Sequence, residues 1–127
     1  MKSKLVSVLA LATALSASSV VVAGDQAMME AAGKELFNKC SACHSLDESK
    51  NAFGPSLIGV VGRQAAILPR FAYSDALRNS GLTWTEDNLR KWVAGNDEFV
   101  PGTRMRHVAI TDTAEQDYLL AYLKTLK

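Results

Sequence analysis

The chain has 127 residues, with 14 Lys and Arg against 13 Asp and Glu, and only two cysteines. That length supports one domain rather than two. A charge balance so near zero is ill suited to coating a phosphate backbone, which excludes nucleic acid as a partner class.

The amino terminus opens with a basic tip, Met1 to Lys4, continues through an apolar run from Leu5 to Leu15, and ends in the small-residue stretch SASSVVVAGD. This is the pattern of a secretory signal peptide. Val21 and Ala23 place the cut between Ala23 and Gly24, so residues 1–23 are expected to leave and residues 24–127 to form the mature domain. An uncleaved anchor would need about 20 apolar residues. The serines and threonine within this segment, and the lack of a stop-transfer flank, argue against one, and no membrane insertion is expected after cleavage. Lys2 and Lys4 depart with the leader, leaving 12 basic residues against 13 acidic. Export also carries the cysteines into a compartment where unprotected thiols oxidise, so both should be covalently used.

After Asp25, a plausible cap, QAMMEAAGKELFNKC sets Met29, Ala32, Leu36 and Phe37 at helical spacing and delivers Cys40 at the end of the helix. Gly33 sits inside this helix, where alanine would be better by about 1 kcal/mol, a cost that makes sense if a second helix crosses there. Residues 45–81 hold prolines, glycines and apolar residues without lasting periodicity, and read as loop with a short helical turn at SDALRNS. In TWTEDNLRKWVAG, Thr85 caps a second helix with Leu89, Trp92 and Val93 on one face and Gly95 as its stop. In TDTAEQDYLLAYLKTLK, Asp112 and Glu115 stand at capping-box spacing, and Leu119, Tyr122, Leu123 and Leu126 form the stripe of a third helix. Nothing alternates as a strand. Three helices and so long a loop order too little apolar surface for a domain of this size, so a further group should fill the middle.

Cys40, Cys43 and His44 make a CSACH pentapeptide. Two cysteines at this spacing serve a redox-active disulfide, half of a zinc site, or the thioether attachment of haem c. Zinc would have to draw on Cys40, Cys43, His44 and His107 in an unusual arrangement. A thiol-disulfide site usually follows a strand in an alternating strand-helix pattern, which is missing. Haem attachment explains all three residues together, with two thioethers on the vinyl carbons and the adjacent imidazole on the iron. For the sixth iron position, Met105 in VPGTRM lies on a loop between the second and third helices, although an ordinary core methionine would read the same way.

From about Gly33 to Leu126 the sequence resembles the small soluble class I cytochromes c, the group of the mitochondrial protein and its bacterial relatives. The resemblance rests on CSACH, GPSLIGVVGR (54–63), FAYSDALRNSGLTW (71–84), VPGTRM (100–105) and LLAYLKTL (119–126) in that order. It implies an all-α fold of three main helices and loops wrapped around one covalently attached haem c. It also implies thioethers at Cys40 and Cys43, His44 and Met105 as the iron ligands, and the Pro55 carbonyl as acceptor of the second imidazole N–H. Tyr73 and Trp84 match positions that hydrogen-bond the haem propionates, and Arg63 one that helps to neutralise them. Gly33 and Phe37 match positions packed on the last helix near Tyr122.

Three departures stand out. Trp92 occupies a position where many relatives carry a tyrosine near the methionine sulfur, which puts a hydrogen bond from there in doubt. Gln116 replaces a frequent arginine. His107 falls where an aromatic usually covers the haem edge, and its imidazole could compete for the iron.

The implied function is that of a monomeric one-electron carrier, not an enzyme, in a bacterial periplasm. It would shuttle between a quinol–cytochrome c reductase or dehydrogenase and a terminal oxidase or similar acceptor. The alternative is a haem enzyme or gas sensor in which Met105 is easily displaced.

Overall fold

The computed structural model describes residues 18–127 apart from positions 48 and 51. Most of the expected leader, residues 1–17, lies outside the described residues. Four helices follow in order: α1 (Ser18–Ser41), α2 (Asp75–Arg78), α3 (Glu86–Phe99) and α4 (Thr113–Leu123). The described residues contain no strand, and one isolated bridge between Gln64 and Thr83 pins the long loop. The fold is therefore all-α, as the sequence implies.

The first helix starts at Ser18, seven residues before the expected cap, so Asp25 lies within it rather than capping it. Its far half crosses α4 closely. A Cβ on Gly33 would sit 1.9 Å from the Tyr118 carbonyl oxygen, so no residue but glycine fits this crossing. One turn on, the Phe37 and Tyr122 rings meet with centroids 5.2 Å apart.

Local sequence chemistry fixes the other helix starts. The hydroxyls of Ser74 and Thr85 accept from the backbone N–H of Leu77 and Asn88, and the Asp112 carboxylate accepts from that of Glu115. Gly95 was expected to end α3. It instead interrupts it, with φ −176° and ψ 80°, and one more turn runs to Phe99 before Val100 N–H closes on the Asn96 carbonyl at 2.8 Å. Two ion pairs join α3 to α4, Arg90 with Asp117 at 2.6 Å and Glu86 with Lys124 at 2.9 Å. Both are partly exposed, so each adds little to stability.

Between these helices and the loops lies a cavity of about 740 Å³. Protein interiors tolerate few voids larger than a water molecule, so a space of this size is a binding site rather than a packing defect.

Candidate functional site

The proximal segment is built by the end of α1. The chain turns sharply after the helix, with the N–H groups of Cys43 and His44 both donating to the Cys40 carbonyl at 3.0 and 2.9 Å. Cys40 and Cys43 both line the cavity, the first half-buried and the second exposed. Burial pushes the Cys40 thiol up, against a smaller opposing effect of the Lys39 charge. A disulfide-exchange site needs a thiol with the opposite bias. Among the described residues no group of three or more His, Cys, Asp or Glu is placed to hold a metal ion, so the four-residue zinc arrangement is not formed.

His44 is buried, and its Nδ1 lies 2.7 Å from the Pro55 carbonyl oxygen. Since a carbonyl only accepts, Nδ1 carries the proton and Nε2 keeps its lone pair for a metal. Burial lowers the imidazole pKa while the Pro55 hydrogen bond partly opposes the shift, so the ring is held neutral, as a ligand must be. The wall over it is made by Gly54, where a Cβ would lie 2.5 Å from His44 Cε1. Gly54 N–H in turn donates to the Cys43 carbonyl at 2.8 Å, tying the wall to the cysteine turn.

The loop after α3 brings Met105 to the same cavity. Its sulfur accepts a hydrogen bond from the indole Nε1–H of buried Trp92 at 3.2 Å, and its carbonyl accepts from Asn96 Nδ2 at 2.8 Å. The doubt over a hydrogen bond from position 92 is thus removed, because the larger indole reaches the sulfur with its ring nitrogen. Asn96 was missed, since a polar residue after a helix-breaking glycine gives no sign that it will turn inward. Arg104, next to Met105, bonds across to the Ala72 carbonyl and closes the Met105 loop onto the segment before α2.

The remaining candidates divide. Pro55 and Tyr73 line the cavity, and burial pushes the Tyr73 hydroxyl pKa up despite the nearby Arg63 charge. Trp84 is buried but packs edge-on against Trp92, with centroids 5.0 Å apart, rather than lining the cavity. Arg63 donates to the Ile58 and Ser56 carbonyls at 2.7 and 2.8 Å. Backbone bonds between residues 62–63 and Trp84 hold these two positions together. His107 also lines the cavity, with Nδ1 2.9 Å from the Val108 carbonyl oxygen. Gln116 is buried and donates to the carbonyl of Ile110, which lines the cavity, at 2.8 Å.

The residues present fit a haem. Cys40, Cys43 and Met105 line the cavity, and His44, which is not itself among the lining residues, packs against Gly54 and bonds to Pro55, which are, so two thiols, an imidazole and a thioether gather about one space, a donor set suited to iron in a porphyrin. The comparisons with known proteins agree. The cytochrome c family model matches residues 30–127. Cytochrome c2 of Rhodoblastus acidophilus is 43% identical over 97 residues, covering 76% of this chain and 91% of that protein. Cytochrome c-550 of Nitrobacter winogradskyi is 44% identical over 93 residues, covering 72% of this chain and 85% of that one. The solved structure of cytochrome cH from Methylobacterium extorquens aligns with a TM-score of 0.70 at 45% identity, covering 76% of this chain and 97% of its own. This chain belongs to the cytochrome c family and carries one covalently attached haem c, for which Cys40, Cys43 and His44 supply the attachment motif.

Proposed function

We propose that the protein is a periplasmic one-electron carrier whose iron is held by His44 Nε2 and Met105 Sδ, with thioethers at Cys40 and Cys43. Bound haem supplies a ferric/ferrous couple, and a soft neutral sulfur ligand in a buried site biases that couple toward the ferrous state. The observation that carries the reading is the Trp92 and Asn96 brace on Met105, which holds the sulfur at the cavity rather than leaving it to wander. His44 is oriented from behind by Pro55, so both ligand atoms are set before any electron moves. The family resemblance assigns Tyr73 and Trp84 to the propionates, with Arg63 offsetting their charge, and of these three Tyr73 lines the cavity. In the Arg63 guanidinium, two donors are already committed to loop carbonyls, which fixes its position near Tyr73.

A haem enzyme or gas sensor would need a Met105 that leaves readily, which is what two hydrogen bonds to this residue oppose. The partners proposed are a quinol–cytochrome c reductase or dehydrogenase as donor and a terminal oxidase as acceptor. The mature form would be a monomer of residues 24–127 after leader cleavage. Spectra of the purified holoprotein, oxidised and reduced, test the assignment. A sulfur-to-iron charge-transfer band in the ferric form is expected, and its absence together with a high-spin spectrum would refute the ligand pair.

A further inference from the structure

The Met105 peptide carbonyl is gripped from two directions. Asn96 Nδ2 donates to it at 2.8 Å from the buried side, and Arg106 Nη1 donates to it at 3.0 Å from the surface side. The same Arg106 nitrogen reaches the Thr103 carbonyl at 3.2 Å and the Asp97 carboxylate at 2.9 Å. With Met105 as an iron ligand, the reading on which this rests, we propose that Asp97 acts through Arg106 as a positioning residue. It governs how fast the Met105 loop opens, so that the residence of the sulfur on the iron responds to ionic strength.

Asn96 and Asp97 are neighbours on the last turn of α3, beyond the break at Gly95, and their two grips differ in kind. Asn96 is buried and neutral, and its backbone carbonyl also accepts the Val100 N–H at 2.8 Å, so one residue fastens both ends of the segment from 100 to 105. A buried bond between neutral groups changes little with salt. The Arg106 and Asp97 side chains are 70% and 60% exposed, so their attraction is screened as salt rises. Without the carboxylate, the contacts left to Arg106 Nη1 are the Thr103 and Met105 carbonyls of its own loop, and the guanidinium then travels with that loop. With the carboxylate in place, Arg106 is tied to the helix, and both loop carbonyls are tied with it. For an external ligand to reach the iron the sulfur has to withdraw, and the carbonyl that both donors hold has to move with it. The inner tie therefore sets a constant part of the opening barrier, and the outer tie sets a part that the medium can remove.

The test is stopped-flow binding of imidazole to the ferric holoprotein across a series of KCl concentrations, at about pH 8, where free imidazole is mostly uncharged. At high imidazole the rate should level off at the opening rate of the loop. In the parent this limiting rate is expected to rise about 1.5- to 5-fold from low to high salt, the range that an exposed ion pair supports. Asp97→Asn should show the parent's high-salt rate at every salt concentration. Arg106→Gln should lose the salt response as well, and combining the two changes should add little to either alone. Asn96→Leu, which deletes the inner donor, should speed opening at every salt concentration and keep the parent's salt response. A limiting rate in the parent that ignores salt, or a salt response that survives in Asp97→Asn, would overturn the role of the pair while leaving Met105 ligation standing. A parent that lacks the sulfur-to-iron band and binds imidazole without levelling would instead remove the ligation itself.

Discussion

The His44 ring gives its Nδ1 proton to the Pro55 carbonyl at 2.7 Å, and the residue just before that proline, Gly54, passes so close to the ring that a Cβ would lie 2.5 Å from Cε1. Orientation and clearance of the imidazole are therefore set by two consecutive residues on one loop. Gly54→Ala should force the ring or the loop to move. Overpacking of this kind costs about 1–3 kcal/mol, measurable by denaturant unfolding of the holoprotein. A stability equal to the parent would mean that the loop is far more yielding than its bond to the Cys43 carbonyl suggests.

Tyr73 gives a pH dependence with a defined sign. Burial raises its pKa in the folded protein above the ordinary value of 10.0. The unfolded chain therefore loses this proton first as pH rises, and the folded state binds more protons over that window. The stability contribution is present in full below about pH 10 and is lost as pH climbs through the raised folded value. Tyr73→Phe should flatten that part of the alkaline limb, followed by thermal unfolding at a series of pH values. An unchanged limb would place the alkaline loss elsewhere.

Much of this architecture is legible in the sequence because capping and periodicity are local. Thr85, Ser74 and Asp112 each bond the N–H three residues on, as short-range chemistry requires. Gly33 could be read as a crossing point because a glycine inside a helix demands a reason, and the Tyr118 carbonyl supplies it. What escaped were contacts between segments distant in sequence that carry no periodic signal. Asn96 reaches the Met105 carbonyl only because the chain turns at Val100, and Arg104 reaches Ala72 across 32 positions. The reach of the Trp92 nitrogen to sulfur likewise depends on ring placement, which residue type alone does not determine.

Docking should depend on apolar contact more than on long-range attraction. Phe53 and Val108 line the cavity and are 90% and 80% exposed. The neighbouring Arg106 is paired with Asp97 at 2.9 Å. Exposed charges are screened beyond about 8 Å at physiological ionic strength. Electron-transfer rates with a redox partner are therefore expected to fall only modestly as salt is added, and Phe53→Ser to slow the reaction at every salt concentration. Charge reversal at Arg104 or Arg106 should slow association at low salt alone. Stopped-flow kinetics across a salt series would expose the opposite case, a steep salt dependence with no effect at Phe53.

The central claim is that Met105 occupies the iron position that an exogenous ligand would need, and carbon monoxide added to the reduced holoprotein tests it most directly. The parent protein should show no rapid binding, while Met105→Ala should bind carbon monoxide within the mixing time. The variant should also have a markedly lower potential, since axial ligands tune haem over about 0.8 V. Rapid binding by the parent, at a rate matching the variant, would contradict the account and point to an iron with an open or readily vacated position.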